Sequence, residues 1–172
     1  GYNSAGAGTN NVAVNGVTTS NCNYGVYAID DPANTNGTTI NLSVTNQCSF
    51  SGTSTAGVRV TGSDVTANIN NNAATITGAT TGIVVDSSAT ATVYRNTITL
   101  NGTGVRALNG GKLTSVSENF ITNNATDGIR NSGVVTLEVV IEHLVEDAEI
   151  VLTDRFEISS RERFFISCLH TN

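Results

Sequence analysis

A glycine followed by valine or isoleucine recurs along most of the chain at a nearly constant interval. The intervals between successive copies are 32, 25, 22 and 24 residues. The copies are Gly25-Val26-Tyr27-Ala28, Gly57-Val58-Arg59-Val60, Gly82-Ile83-Val84-Val85, Gly104-Val105-Arg106-Ala107 and Gly128-Ile129-Arg130-Asn131. Such a period is typical of a solenoid, in which each repeat forms one coil and packs against its neighbours. We expect the glycines to occupy turns with positive φ.

A second motif precedes most of these glycines and contains an amide between two apolar residues. The amides are Gln47, Asn72, Asn96 and Asn119, spaced 25, 24 and 23 residues apart. Stacked strands lie about 4.8 Å apart, and amide side chains at this spacing hydrogen-bond along a stack. The motif therefore predicts an amide ladder. In the coil around Asn96, the inward residues are predicted to be Val93, Ile98, Val105 and Leu108.

The composition favours short strands joined by tight turns. The chain has 26 Thr, 22 Asn and 17 Gly but one Pro; Thr favours strands, whereas Asn and Gly favour turns. Two hydroxyl columns are predicted, one of Thr66, Thr90, Thr114 and Thr136 and one of Thr18, Ser51, Thr77, Thr99 and Thr122. The segment 31–37 lengthens the first interval and is predicted to be a loop that bulges from the stack, a natural place for function.

Charge and hydropathy exclude some classes of partner. The net charge is −6, with eight Lys and Arg that form no run, so no nucleic-acid partner is expected. No apolar stretch approaches the roughly 18–20 residues of a membrane span. The composition suggests an extracellular or cell-surface piece of a longer protein. Cys22, Cys48 and Cys168 have no metal-ligand spacing; either free thiols or a Cys22–Cys48 disulfide fits the sequence.

The last part of the chain differs in composition from the repeats. Residues 1–136 and 137–172 carry eleven charged residues each. We predict that 1–136 form the coils and that 137–172 form terminal coils, a strand-rich cap of the same domain, with His143 in the amide position. Adjacent Phe164 and Phe165 cannot both face inward from one strand. The phenylalanine that faces outward is predicted either to pack within the chain or to form a homo-oligomer contact through this cap.

Together, the amide motif and the Gly-Val/Ile motif over residues 12–136 resemble the right-handed parallel β-helix superfamily, the pectin-lyase-like fold. The tail, with Ile150-Val151-Leu152, Phe156-Glu157-Ile158 and Phe164-Phe165-Ile166, resembles the terminal coils of secreted surface proteins of the Bacteroidetes type. The predicted fold is an all-β, right-handed parallel β-helix of about six or seven coils with a C-terminal strand-rich cap. Right-handedness also follows from the general crossover preference.

Proteins of this superfamily include lyases, glycosidases, adhesins and ice-binding proteins, so the fold alone does not select a function. A polygalacturonase-like site is not expected. Asp30 and Asp31 are adjacent, but neither His143 nor His170 has the sequence setting of such a site. A lyase-like site implies acids that bind Ca²⁺ and an Arg base. The candidate ligand-binding residues are Arg59, Asp64, Asp86, Arg106 and Arg130. The competing interpretation is that these are solvated outward positions.

The sequence thus predicts a non-catalytic, extracellular β-solenoid module with an adhesive, carbohydrate-contacting or structural role. We expect no catalytic residues and no cofactor, Ca²⁺ being the one metal considered, and the partner would be a polysaccharide or cell-surface glycan. One alternative is a fragment of a polysaccharide-acting enzyme, either a lyase or a glycosidase. A second is an ice-binding protein, suggested by Thr75-Ile76-Thr77 and Thr97-Ile98-Thr99, although Ser49-Phe50-Ser51 and Phe120-Ile121-Thr122 are expected to interrupt that array.

Overall fold

The chain forms a parallel β-helix. The computed structural model describes residues 8–30, 37–70 and 75–132, together with the backbone of 139–140 and 150–152. All of its strand pairs are parallel and form three sheets, here called A, B and C; one coil is one pass of the chain through all three. Fifteen strands make five complete coils and two more belong to a sixth. The predicted all-β parallel β-helix is confirmed, and the described strands account for five coils and part of a sixth of the six or seven predicted.

The strands follow one another in a fixed order from sheet A to B to C. They are β1 (Gly8–Asn15), β2 (Thr18–Ser20), β3 (Tyr24–Ile29), β4 (Thr38–Thr45), β5 (Ser49–Ser51), β6 (Ala56–Thr61), β7 (Val65–Asn70), β8 (Thr75–Thr77), β9 (Thr81–Asp86), β10 (Thr90–Tyr94), β11 (Thr97–Thr99), β12 (Thr103–Ala107), β13 (Lys112–Ser117), β14 (Phe120–Thr122), β15 (Asp127–Asn131), β16 (Val139–Val140) and β17 (Ile150–Leu152). Sheet A runs β1-β4-β7-β10-β13-β16, sheet B runs β2-β5-β8-β11-β14, and sheet C runs β3-β6-β9-β12-β15-β17.

Alternate residues of each strand face inward and stack into buried columns. The fully buried ones include Val44, Ile69 and Val93 in sheet A, Phe50, Ile76 and Ile98 in sheet B, and Val58, Ile83 and Val105 in sheet C. Burying one such side chain contributes about 1.5–3 kcal/mol, so these columns are the main source of stability. Leu108 is half-buried, and Ala107 takes the inward place predicted for it.

The glycines of the repeat lie inside strands of sheet C, and the prediction that they occupy positive-φ turns is wrong. A Cβ on Gly82 would lie 2.6 Å from the carbonyl oxygen of Gly104 and 2.7 Å from Cγ2 of Ile98. Gly25, Gly57 and Gly104 are in equivalent positions, each against an inward side chain of sheet B and the backbone of the next coil. Glycine is therefore required here for close approach rather than for backbone freedom.

The amide ladder is present at the corner between sheets A and B. The Nδ2 of Asn96 donates to the carbonyl oxygens of Ile69 and Tyr94, both at 2.9 Å. The Oδ1 of Asn119 accepts from the Nδ2 and the backbone N–H of Asn96, also at 2.9 Å. These bonds satisfy carbonyl groups that would otherwise be buried without a donor.

Cys48, and not Gln47, takes the ladder position in the second coil. Its thiol donates to the carbonyl oxygens of Thr45 at 3.1 Å and Val14 at 3.5 Å, as the amide of Asn96 does in its own coil. Gln47 is exposed with a φ of 62°. The corner of this coil is one residue longer than that at Asn96, which shifts the amide out of register.

A second ladder, missed by sequence reasoning, occupies the corner between sheets B and C. The Nδ2 of Asn101 donates to the carbonyl oxygens of Ile76 and Thr99, and its Oδ1 accepts from the N–H of Ala79. Asn124 continues the ladder by accepting from Asn101 and donating to the carbonyl oxygen of Ile98. The sequence signal that could have revealed this ladder is the pair Asn101 and Asn124, which are 23 residues apart.

Residues with left-handed backbone form a column at each corner of the coil. At the corner between sheets B and C these are Asn21, Gly52, Gly78, Leu100 and Asn123. Glycine and asparagine adopt this conformation readily, whereas a leucine is strained by its Cβ. The direction of the chain at each corner is therefore determined by backbone conformation as well as by the ladders.

The predicted hydroxyl columns are partly correct. Ser51, Thr77, Thr99 and Thr122 are in register, but Ser20 and not Thr18 begins that column. Thr66 pairs with Thr90 as predicted, whereas Thr90 aligns with Lys112 and not with Thr114, which lies at a register shift between Leu113 and Ser115.

Several predictions concern residues outside the described part of the chain. These are the loop at 31–36, Asn72, Thr136, His143, Cys168, His170 and, apart from β16 and β17, the cap at 137–172. Those two strands extend sheets A and C. Cys22 and Cys48 are not joined in a disulfide.

Candidate functional site

The outward face of sheet C carries the candidate arginines. Tyr27, Arg59, Val84, Arg106 and Arg130 are in register on successive coils and are called here the arginine column. The three arginines therefore share one place in their coils, with Val84 between the first two. Tyr27 stacks on Tyr24 with ring centroids 4.7 Å apart, and the Arg59 guanidinium lies 5.9 Å from the Tyr27 ring.

Asp86 lies at the end of β9 and is only 5% exposed. Its carboxylate accepts hydrogen bonds from Arg59 Nη2 at 2.6 Å, Asn109 Nδ2 at 2.8 Å and Ser87 Oγ at 3.2 Å. These donors come from the second, third and fourth coils, so Asp86 ties three coils together. The interpretation of Asp86 as a solvated outward residue is wrong, because the carboxylate is buried and bonded within the chain.

The pKa of Asp86 is held below its ordinary value. Burial alone raises the pKa of this carboxyl, but the hydrogen bonds from Asn109 and Ser87 and the charge and hydrogen bond of Arg59 outweigh burial. Because each donor favours the ionised form, the carboxylate is charged and fully engaged at neutral pH.

We expect Asp86→Asn to lower the free energy of unfolding at about pH 7 by roughly 2 kcal/mol. The folded pKa lies below the unfolded value of about 3.9, so Asp86 contributes stability above that value and loses it as pH falls through the folded pKa. The variant should therefore lose less stability than the parent on acidification. Urea unfolding at about pH 7 and about pH 3 measures this effect, with Asp64→Asn as the control. An equal acid sensitivity in parent and Asp86→Asn would contradict it.

Asp64 does not pair with Asp86. The register aligns Thr61 with Asp86, and counting back from the pair Thr66–Thr90 places Asp64 level with Ser88. Asp64 is half-buried in the turn before β7, and its carbonyl oxygen accepts the N–H of Ile40 at 2.8 Å. The two acids therefore occupy different places in their coils.

Arg130 and Arg106 differ from Arg59 in their partners. The Nη1 of Arg130 is 3.7 Å from Oδ2 of Asp127, a carboxylate that is 5% exposed. Within the described part of the chain Arg106 has no ion pair, and its Nε is buried without a hydrogen-bond partner.

These residues do not fit a Ca²⁺ site. The oxygens of Asp86 already accept three donors, and no three His, Cys, Asp or Glu side chains among the described residues are grouped to hold a metal ion. A hard cation needs several free oxygen ligands, and Arg59 beside Asp86 would repel it. A shallow, open depression on sheet A, lined in part by Asn11, Asn41 and Asn68, contains no ionisable group.

Sheet B displays two regular columns of hydroxyl groups that sequence reasoning underestimated. The middle residue of each strand faces inward, so the flanking residues face out. The outward places hold hydroxyl residues at nine of ten positions, with Phe120 as the exception. They are Thr18, Ser20, Ser49, Ser51, Thr75, Thr77, Thr97, Thr99 and Thr122. The array, called here the hydroxyl face, spans all five complete coils and does not stop at Ser49-Phe50-Ser51 as predicted.

Comparison of the chain with protein-family models, with curated proteins and with solved structures finds no match. The parallel β-helix therefore rests on the strand order and register described above. Within the described residues, no helix is long and apolar enough to cross a lipid bilayer.

Proposed function

We propose that this chain is a non-catalytic β-solenoid module of a larger extracellular protein, with the pectin-lyase-like type of right-handed β-helix, and that its hydroxyl face contacts carbohydrate. The observation that carries the proposal is the set of nine outward hydroxyl residues in two columns over five coils. Neighbouring rows are about 4.8 Å apart, so the face offers hydrogen-bonding groups at a regular spacing to a regular, extended partner.

The bonding of the acids supports a non-catalytic role. A general acid or base must reach the proton that it transfers. The carboxylate of Asp86 already accepts hydrogen bonds from Arg59, Asn109 and Ser87. Asp127 is buried beside Arg130. The enzyme alternative predicts release of unsaturated uronides or reducing sugar from a polysaccharide panel, and such release would replace our proposal.

Ice binding is the second candidate, and the same face favours it. Two strands pair in register on this face, Thr75-Ile76-Thr77 and Thr97-Ile98-Thr99. Three further coils add serine or threonine residues to the same columns. A rigid hydroxyl array of this kind suits an ordered water surface as well as an ordered polysaccharide. The two candidates differ in the ligand and not in the residues.

Two lysine variants of the third coil separate the candidates. Thr77→Lys places a long charged side chain within the hydroxyl face, whereas Thr66→Lys places one on the outward face of sheet A, in the column that already holds Lys112. We expect the parent to bind insoluble cellulose, chitin or xylan, and we expect Thr77→Lys to reduce the bound fraction about tenfold, by loss of hydrogen bonds and shape fit, while Thr66→Lys binds as the parent does.

Thermal hysteresis of ice growth provides the second arm of the experiment. Hysteresis in the parent that Thr77→Lys abolishes, without polysaccharide binding, would replace the carbohydrate proposal by ice binding. Binding that both variants lose equally, or neither loses, would reject the hydroxyl face as the contact surface.

A further inference from the structure

The arginine column has an imbalance of charge on a face distinct from the hydroxyl face. Three of the five described cations have a carboxylate partner: Arg59 with Asp86, Arg95 with Glu118 and Arg130 with Asp127. Lys112 and Arg106 have none among the described residues. Lys112 is exposed, so water solvates its charge, whereas the Nε of Arg106 is buried and has no acceptor in the part of the chain that the structure describes.

Arg106 and Arg130 are direct partners in the register of β12 and β15. Like charges opposite each other on neighbouring strands destabilise a sheet, and Asp127 forms an ion pair with Arg130 but not with Arg106. That acid is engaged weakly, since Nη1 of Arg130 lies 3.7 Å from Oδ2 of Asp127 and Oδ2 has no hydrogen-bond donor. The pair therefore carries an excess of one positive charge in a chain whose net charge is −6.

The buried Nε of Arg106 lacks, among the described residues, the kind of hydrogen bond that the Nε atoms of Arg59 and Arg95 make. The Nε of Arg59 donates to Thr61 and the Nε of Arg95 donates to Glu118. An unsatisfied buried donor destabilises the folded chain. Arg106 as a whole is only half-buried, so its outer guanidinium nitrogens are the ones that an oxyanion meets. A planar guanidinium fork matches two oxygens of a carboxylate or sulfate, and the Arg130 side chain is 42% exposed, so the pair is open to a ligand.

We propose that Arg106 and Arg130 form a binding site for one oxyanion, a carboxylate or sulfate group carried by an extended polyanion that runs across the coils. This site is independent of the hydroxyl face. Arg59 does not belong to it, because Asp86 neutralises that arginine and Val84 separates it from Arg106.

The test is titration calorimetry of the intact chain with two ligands, an oligogalacturonate that carries carboxylates and a sulfated heparin oligosaccharide. Both are measured at constant ionic strength. We expect binding that weakens about tenfold or more in Arg106→Gln and less in Arg106→Lys, which keeps the charge but loses the fork. The matched control is Lys112→Gln, which removes one positive charge from sheet A and should bind as the parent does.

The outcomes distinguish the source of the anion from the existence of the site. Preference for one oligosaccharide identifies the carboxylate or the sulfate as the natural group, and both results support the site. Absence of binding by the parent overturns the proposal. Equal weakening by Arg106→Gln and Lys112→Gln also overturns it, because general charge attraction would then explain the binding. Circular dichroism and thermal unfolding verify that each variant is folded.

Discussion

Gly82→Ala should destabilise the protein by about 3 kcal/mol, an overpacking effect at the upper end of its usual range. The new Cβ would lie 2.6 Å from the carbonyl oxygen of Gly104 and 2.7 Å from Cγ2 of Ile98. The carbonyl belongs to the backbone of the next coil, so relief of the contact requires the two coils to move apart. Urea unfolding followed by far-UV circular dichroism measures the change.

Gly8→Ala is the matched control for Gly82→Ala. It lies in β1, does not have left-handed backbone, and its added Cβ would meet no atom within 4 Å. We expect this variant to be neutral or slightly stabilising, since alanine restricts the unfolded chain more than glycine does. If the two alanine variants unfold at the same urea concentration, close approach of the coils is not the reason for glycine at this position.

Asn96→Leu should destabilise the protein by about 2–4 kcal/mol although it adds apolar surface. The substitution removes the donor to the carbonyl oxygens of Ile69 and Tyr94 and a donor to Oδ1 of Asn119. Asn96 is 2% exposed, so water cannot replace these bonds. The midpoint of chemical unfolding, compared with that of the parent, gives the effect.

The control for Asn96→Leu is Asn68→Leu, an exposed asparagine on the outward face of sheet A. The same chemical change there should cost less than about 0.5 kcal/mol. A neutral or stabilising Asn96→Leu would show that apolar packing outweighs the ladder at this corner.

The repeat period predicted the solenoid because coils of equal length bring equivalent residues into register. It placed the arginine column correctly, since Arg59, Arg106 and Arg130 each follow the glycine by two residues within one unbroken strand. It also found the Asn96–Asn119 ladder, where the corners have equal length. Within a strand, position in sequence determines position in the stack.

Predictions failed where a corner changes length. One extra residue puts Cys48 and not Gln47 in the ladder. The different turns after β6 and β9 separate Asp64 from Asp86. The partners of Asp86 could not be predicted either, because Asn109 reaches it from a turn with left-handed backbone whose direction no sequence motif specifies. The glycines were misassigned because close approach and turns both select glycine.

The bonds of Asp86 have a consequence for how the stack opens. In a linear array of coils each unit contacts only its neighbours, so hydrogen exchange and fraying begin at the ends. A carboxylate bonded to Arg59 and Asn109 links coils two and four through coil three, and no single one of these coils can leave without exposing a buried charge. We therefore expect coils two to four to open as one cooperative unit, with backbone amides that exchange at similar rates when hydrogen exchange is measured.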